Sequence, residues 1–154
     1  MKQLLIIFII RFCAAAQSTD ALELADAAFR ERQFERAAAL ARSVLARQPG
    51  AVHAHMILGV IAAQKNDWES SNRHFQMIVR LEPSNPYGYF YLGQAKLYQH
   101  EWDAAAQLFS KALERQYPDT PRLLVELALA RNESGNPREA LEVLRKTAPP
   151  ADAR

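Results

Sequence analysis

The chain has 154 residues and a formal net charge of +2, and two of its positive charges, Lys2 and Arg11, lie in a separate N-terminal stretch. The remainder carries 17 basic and 17 acidic residues, so it lacks the basic excess expected of a protein that binds nucleic acid or an anionic membrane. Cys13 is the single cysteine, which excludes an intramolecular disulfide. Gly is scarce and strong helix formers predominate, so the composition predicts an all-α protein.

Residues 1–16 form an apolar leader that differs from the rest of the chain. Lys2 precedes seven consecutive apolar residues, 4–10, and residues 14–16 are all Ala. This order predicts a signal peptide cleaved after Ala16, and hence a periplasmic or secreted protein. The apolar run is far shorter than the about 20 residues of a membrane-spanning helix. The alternatives are an uncleaved leader that tethers the protein to a membrane, and a cytosolic protein. Membrane association is expected through the leader alone.

A 34-residue pattern organises the remaining sequence. Its clearest copies are Leu58, Gly59, Trp68 and Phe75 and, 34 residues later, Leu92, Gly93, Trp102 and Phe109. A period of this length is typical of stacked helical repeats. We place one repeat domain at residues 17–148, with units at 18–51, 52–85, 86–120 and 121–148, and a disordered tail at 149–154.

Side-chain size within each unit predicts where its two helices meet. Position 8 of the units holds Ala25, Gly59, Gly93 and Ala128, and position 20 holds Ala37, Ser71, Ala105 and Ala140. Small side chains allow two helices to approach closely, so these positions predict the contact between a first and a second helix. Mostly large apolar residues stand at positions 7 and 24: Leu24, Leu58, Leu92 and Leu127, and Ala41, Phe75, Phe109 and Leu144. Their helical spacing predicts a core.

The breaks between apolar segments predict eight helices, at about 19–31, 35–47, 52–65, 69–81, 86–98, 102–116, 121–133 and 137–148. The turns within units are Arg32-Gln33, Asn66-Asp67, His100-Glu101 and Gly135-Asn136. Asn and Gly tolerate the positive φ that a helix-ending turn often requires. Asn85 and Thr120 are predicted to cap the helices that open with Pro86 and Pro121.

The four units resemble the tetratricopeptide repeat family over residues 18–148. Leu-Gly at positions 7 and 8, Phe at position 24 and a closing Pro are the family features that unit two supplies with Leu58, Gly59, Phe75 and Pro83. The resemblance implies an all-α, right-handed superhelix (an α-solenoid) of four helix–turn–helix units. It also implies that the first helices line a concave groove that binds a peptide segment of a partner protein.

By the same resemblance, the groove is expected to be lined by Met56, Ile57, Val60, Tyr87, Phe90, Tyr91, Gln94, Tyr98, Val125 and Leu129. The third unit is the most unusual, because five aromatic residues lie in its predicted first helix. Adjacent helical residues lie about 100° apart, so one buried face cannot hold all of them. Aromatic side chains at a binding surface give a large contact area at low entropic cost. Packing of these rings between units is the alternative.

No pattern for catalysis or metal binding is evident. His53 and His55 lie two residues apart, which puts them on different helix faces, and His74 and His100 have no partner nearby in the sequence. Gly-rich phosphate loops and nucleophile motifs are absent from the sequence. We therefore expect a non-enzymatic scaffold or adaptor without cofactor, metal or small-molecule substrate, which binds a protein segment during cell-envelope or secreted assembly. The alternative is a structural, self-associating subunit of a larger complex.

Overall fold

A computed structural model describes residues 20–145, and the predicted leader and tail lie outside that range. Within it, eight helices and no strand are found, so the all-α prediction is confirmed. Helix α1 covers 20–30. It is followed by α2 (Phe34–Arg47), α3 (Val52–Gln64), α4 (Trp68–Leu81), α5 (Pro86–Tyr98), α6 (Trp102–Glu114), α7 (Thr120–Glu133) and α8 (Pro137–Arg145). All eight predicted helices are present. The predicted end of the last one, at 148, lies outside the described residues, and the other ends lie within two residues of the predicted ones.

The turn inside each unit has one recurring geometry. Arg32, Asn66, His100 and Gly135 all have positive φ, between 58° and 84°. In the second unit the N–H of Asn66 donates to the carbonyl of Ala63 at 3.0 Å, and the N–H of Asp67 donates to the carbonyl of Ala62 at 2.9 Å. This pair of bonds is a Schellman motif, which satisfies the last carbonyls of a helix and ends it sharply. The predicted helix-ending turns are therefore confirmed.

Helix starts follow the prediction in one case and not in the other. The Asn85 side chain accepts a hydrogen bond from the backbone N–H of Tyr87 at 3.0 Å, as predicted for the cap of α5. The cap of α7 is Asp119, which accepts from the N–H of Arg122 at 3.2 Å, and the prediction of Thr120 was wrong. Thr120 is already helical, and its hydroxyl donates to the carbonyl of Tyr117 at 3.1 Å.

The described chain divides into two compact units, residues 20–77 and 78–145, with the division inside α4. In the first, small residues such as Ala25, Ala37 and Ala41 pack with Val44 and Leu58. In the second, Phe90, Phe109 and Leu123 are buried with Ala105 and Ala106. Each unit thus has its own apolar core, built largely from the predicted positions.

Glycine at repeat position 8 makes room for phenylalanine at position 24. A Cβ atom placed on Gly59 would lie 2.8 Å from the Phe75 ring, and one on Gly93 would lie 2.6 Å from the Phe109 ring. Both rings are fully buried. The small residue therefore lets the ring of the second helix lie directly against the backbone of the first.

Two residues predicted for the core are exposed instead. Leu24 is 51% exposed and Leu144 is 39% exposed, whereas Leu58, Leu92 and Phe109 at the same repeat positions are buried. Leu24 lies in the first described helix and Leu144 in the last. In an inner unit these faces are covered by the helices of a neighbouring unit.

Candidate functional site

One face of α5 carries three tyrosines and a glutamine. Tyr87, Tyr91, Gln94 and Tyr98 are spaced four, three and four residues apart, which places them on one helix face. We call these four residues the tyrosine stripe. Tyr87 and Tyr98 are exposed, Tyr98 by 60%, and Tyr91 and Gln94 are half-buried. The stripe therefore lies at the surface of α5.

Buried rings hold the tyrosine stripe from below. Tyr117 stacks on Phe90 with ring centres 4.2 Å apart and an angle of 16° between the ring planes. Tyr87 meets Tyr117 edge to face at 5.3 Å, and Tyr91 meets Phe90 edge to face, also at 5.3 Å. Such contacts restrict ring orientation. The exposed tyrosines are therefore presented by a fixed layer of rings.

Helix α7 adds charge beside the stripe. The guanidinium carbon of Arg122 lies 5.2 Å from the centre of the Phe90 ring, within cation–π range, and the Arg122 side chain is exposed. Glu126 accepts a hydrogen bond from the Gln94 side chain at 3.2 Å, which ties α7 to α5. The Glu126 carboxylate thus already accepts a hydrogen bond, whereas the Arg122 guanidinium faces solvent.

Two phenols of this ring layer, Tyr91 and Tyr117, have a raised pKa. Burial raises the pKa of Tyr91, although the nearby Arg122 charge opposes the rise. It also raises the pKa of Tyr117 to about 12, to which the neighbouring Tyr91 adds. These hydroxyls remain neutral at physiological pH. Neutral hydroxyls and a guanidinium group together favour acceptor-rich ligands such as carboxylates and backbone carbonyls.

Two of the expected groove residues are not available to a ligand. Phe90 is completely buried, and Ile57 is 3% exposed. Phe90 is held under Tyr117, and Ile57 packs among small residues of α1 and α2 that leave room for its branched side chain. For these two residues the expectation of a groove-lining role does not hold. Met56 and Val60 are half-buried on α3, in the other compact unit.

Val125 and Leu129 line a different surface from the tyrosine stripe. They are 55% and 47% exposed and lie in an apolar groove of about 450 Å³ between α7 and α8. We call it the end groove; its lining is Val125, Ala128, Leu129, Asn132, Pro137, Ala140, Leu141 and Leu144. Val125 and Leu129, the expected ligand-binding residues of the last unit, therefore belong to a surface that α7 shares with α8.

The roles of Tyr117 and Tyr89 could not be assigned from the sequence. Tyr117 is buried although it follows a helix end, where an exposed residue is usual. Tyr89 is also buried; its hydroxyl donates to the Pro83 carbonyl at 3.0 Å, and the Arg115 guanidinium lies over its ring. Unit three is one residue longer than the 34-residue pattern, and the extra residue falls in the turn that contains Tyr117. An aromatic residue in that longer turn was the only signal that could have indicated Tyr117.

The structure also brings together two histidines that the sequence separates. The Nδ1 atoms of His55 and His74 lie 3.0 Å apart, and Nε2 of His55 lies 2.9 Å from the Pro49 carbonyl. His53 is elsewhere, with its Nε2 atom 3.1 Å from Asp26. Among residues 20–145, no group of three metal-ligating side chains is assembled.

Nothing between residues 20 and 145 forms a helix with the length and apolar character of a membrane span. The sequence model of the tetratricopeptide repeat family matches residues 22–86 and 90–153. No curated protein sequence matches the chain.

Several solved structures share the fold. MamA from Desulfovibrio magneticus RS-1 is similar with a TM-score of 0.75 and 16% identity, over 84% of this chain and 73% of that chain. MamA AMB-1 is similar with a TM-score of 0.70 and 24% identity, over 82% of this chain and 69% of that one. MamA MSR-1 has a TM-score of 0.68 and 23% identity, over 82% and 72%. At these identities the likeness shows the fold alone.

Proposed function

The chain belongs to the tetratricopeptide repeat family, a family of protein–protein interaction scaffolds, and on this premise we propose that its tyrosine stripe binds a segment of a partner protein. The scaffold is non-enzymatic in this proposal. The observation that carries it is the row of phenols on α5, which is exposed at Tyr87 and Tyr98 and is fixed by the buried rings of Phe90 and Tyr117. A preorganised aromatic surface binds at a lower entropic cost than a mobile one.

The chemistry of the site favours a particular segment. Apolar or aromatic side chains of the ligand would lie against the tyrosine rings, since such rings bury large areas on binding. An acidic side chain would lie next to Arg122, which is exposed and whose neighbour Glu126 is already bonded to Gln94. We therefore propose a segment that combines apolar residues with at least one carboxylate.

A library of random short peptides displayed on phage tests this proposal with the full chain as bait. Recovered peptides are expected to contain an acidic residue next to aromatic or aliphatic ones. Their affinity, measured by fluorescence anisotropy, should fall about tenfold with Tyr98→Ala and about tenfold with Arg122→Glu. Leu81→Ala is the matched control, because Leu81 is also exposed but lies outside the stripe. Peptides that bind these variants and the parent equally would contradict the proposal.

We also propose that this binding takes place in the periplasm or outside the cell, during assembly of envelope or secreted structures. The support is the order of charge, apolar run and alanines within residues 1–16. Expression of the full chain in a bacterium, followed by fractionation and N-terminal sequencing, tests the location. A protein that begins at Gln17 in the periplasmic fraction is expected. A full-length protein in the membrane fraction would instead support a tether, and one in the cytosol would contradict export.

A further inference from the structure

The end groove exposes apolar side chains on both of its walls. Val125 is 55% exposed and Leu129 is 47% exposed on α7, and Leu141 is 59% exposed on α8. Ala128 and Ala140 line the floor of the groove. A continuous apolar surface formed by two packed helices is the kind of feature that marks a protein-binding site.

The preceding repeat shows what occupies the equivalent groove there. Phe90 and Ala106 correspond to Val125 and Leu141, 35 residues later in the chain, and both are fully buried. They are covered by α7, whose Leu123, Leu127 and Ala130 belong to the same core cluster. The occupant of such a groove is therefore a helix with apolar residues at i, i+4 and i+7. Helix α1 supplies the second and third of these positions with Leu24 and Ala27, and has Asp20 at the first.

Helix α1 exposes the face that the other first helices bury. Leu24 is 51% exposed, whereas Leu58, Leu92 and Leu127 at the same repeat position are at most 9% exposed. Ala27 follows three residues later on the same face and corresponds to Ala130 of α7. Helix α1 and the end groove therefore present the two halves of the interface that joins consecutive repeats.

The charges on either side of these apolar residues are opposite. Asp20 in α1 and Glu31, directly after the end of α1, lie four and seven residues from Leu24, on the same stripe. On α8, Arg138 and Arg145 lie three and four residues from Leu141, and both are exposed. An acidic stripe thus faces a basic one, which favours this pair of surfaces over two copies of either.

The direction of packing agrees with these charges. The start of α6, including Trp102 and Asp103, and the end of α7, including Glu133, line one shared cavity. A helix that lies on α8 in the same manner places its end beside Arg138 and its start beside Arg145. For α1 the start is Asp20, and the end carries Glu31 together with Arg30, whose charge is paired with Asp26 at 3.0 Å. Each basic residue of α8 thus has an acidic residue at its end of the contact.

From these observations we propose that the chain associates head to tail, with α1 of one copy in the end groove of a second copy. This inference goes beyond the binding of a partner segment by the tyrosine stripe. Because the two surfaces are different, the contact is heterologous, and it builds rings or open chains of copies instead of a closed pair.

Light scattering coupled to size-exclusion chromatography of the full chain tests this proposal across a range of concentrations. The wild-type mass is expected to increase with concentration. Leu24→Arg and Leu141→Arg should each weaken association at least tenfold, while circular dichroism shows unchanged helicity, because both residues are exposed. Leu81→Arg is the control, since Leu81 is exposed on α4 and belongs to neither surface.

Mixing the two variants distinguishes the head-to-tail contact from other arrangements of the copies. The Leu24→Arg copy keeps an intact end groove and the Leu141→Arg copy keeps an intact α1, so their mixture should form a one-to-one dimer. Arg138→Glu should weaken association, and adding a Glu31→Arg copy should restore it.

Three outcomes would overturn the proposal. The first is a wild type that stays monomeric at about 100 μM, where contacts of even weak affinity are populated. The second is an oligomer that Leu24→Arg leaves unchanged, which would indicate packing of two end grooves on each other. The third is association that begins only after residues 146–154 are removed, which would indicate that the chain covers its own groove.

Discussion

The Nδ1 atoms of His55 and His74 face each other at 3.0 Å, although 19 residues separate the two in the chain. The ring centres are 5.3 Å apart, so the two nitrogens lie close to the line that joins the ring centres. That geometry suits a hydrogen bond and not a metal ion, whose ligands would have to converge on a third point. The Pro49 carbonyl can only accept, so Nε2 of His55 carries a proton. His55 Nδ1 is then the acceptor, and His74 Nδ1 the donor.

This pair makes stability depend on pH in the mildly acidic range. Burial, with a smaller contribution from the neighbouring His55, lowers the pKa of His74 from 6.5 to about 4. Between these two values the unfolded chain binds a proton that the folded chain does not, so the free energy of unfolding falls as the pH falls through this range. We expect a loss of about 1 to 2 kcal/mol, discounted because the ring is only partly buried.

Urea denaturation at about pH 7 and about pH 5 measures the effect. His74→Gln removes the titrating group and should flatten the pH dependence over this range. His53→Gln is the matched control, because His53 lies at the surface beside Asp26. If His74→Gln and the wild type lose stability in parallel, the pair is not responsible.

The contact between His55 and His74 could not be predicted from the sequence. Helix ends could be predicted because each depends on a few adjacent residues: a residue that tolerates positive φ, a cap or a Pro. Contacts between repeats cannot be found in this way. Nothing near His74 in the sequence indicates His55, and the stack of Tyr117 on Phe90 joins a turn to a helix 27 residues earlier.

The candidate site could be predicted at the level of the helix but not of the helix face. Of the residues assigned to α5, Tyr87 and Tyr98 are exposed and Tyr91 and Gln94 are half-buried. Phe90 is adjacent to Tyr91 and was assigned to the same surface, yet it is fully buried. Adjacent side chains of a helix point about 100° apart, so one of them can lie in the core while its neighbour faces solvent. Only knowledge of the covering residue, Tyr117, would have decided it.

Gly93 is expected to be intolerant even of Ala. An added Cβ would lie 2.6 Å from the Phe109 ring, which is fully buried and cannot move aside. Replacing a helical Gly with Ala normally stabilises by about 1 kcal/mol. Here we expect Gly93→Ala to destabilise by about 1 to 3 kcal/mol, because overpacking exceeds that gain. Chemical denaturation gives the free energy of unfolding.

The other repeats supply the control for this prediction. In units one and four, position 8 is Ala, and position 24 is Ala41 or Leu144 instead of Phe. Phe109→Leu should therefore reduce the cost of Gly93→Ala in a double-mutant cycle. Equal costs in the two backgrounds would show that contact with the ring is not the cause.

Loss of either helix cap in the second compact unit should cost about 1 kcal/mol. Asn85→Ala removes the acceptor for the N–H of Tyr87, and Asp119→Ala removes the acceptor for the N–H of Arg122. Asp119→Asn keeps a side-chain oxygen and should be nearly neutral, whereas Asn85→Asp keeps the cap but loses the hydrogen bond that the Asn85 amide donates to the Glu82 carboxylate at 2.9 Å. Thermal unfolding followed by circular dichroism checks all four variants, and an Asp119→Ala variant as stable as Asp119→Asn would argue against this cap.

Tyr117 should be the residue on which the aromatic layer depends most. Tyr117→Ala removes the ring that stacks on Phe90 and supports Tyr87, and we expect a loss of about 3 to 5 kcal/mol, as for other buried aromatic residues. Tyr117→Phe keeps both ring contacts and should be tolerated near neutral pH. If Tyr117→Ala is as stable as Tyr117→Phe, the stack does not support the layer.

The hydroxyl of Tyr117 adds a dependence on alkaline pH that separates Tyr117→Phe from the wild type. Its pKa rises from 10.0 to about 12, chiefly because of burial. The unfolded chain therefore loses this proton first, so the stabilising contribution is present below pH 10 and is lost as the pH rises toward about 12. Urea denaturation at about pH 9 and about pH 11 should show a smaller decrease in the free energy of unfolding for Tyr117→Phe than for the wild type.

Tyr98→Phe is the control, because Tyr98 is 60% exposed. Its free energy of unfolding should decrease as much as that of the wild type. If Tyr98→Phe reduced the alkaline loss as much as Tyr117→Phe, burial would not be its cause.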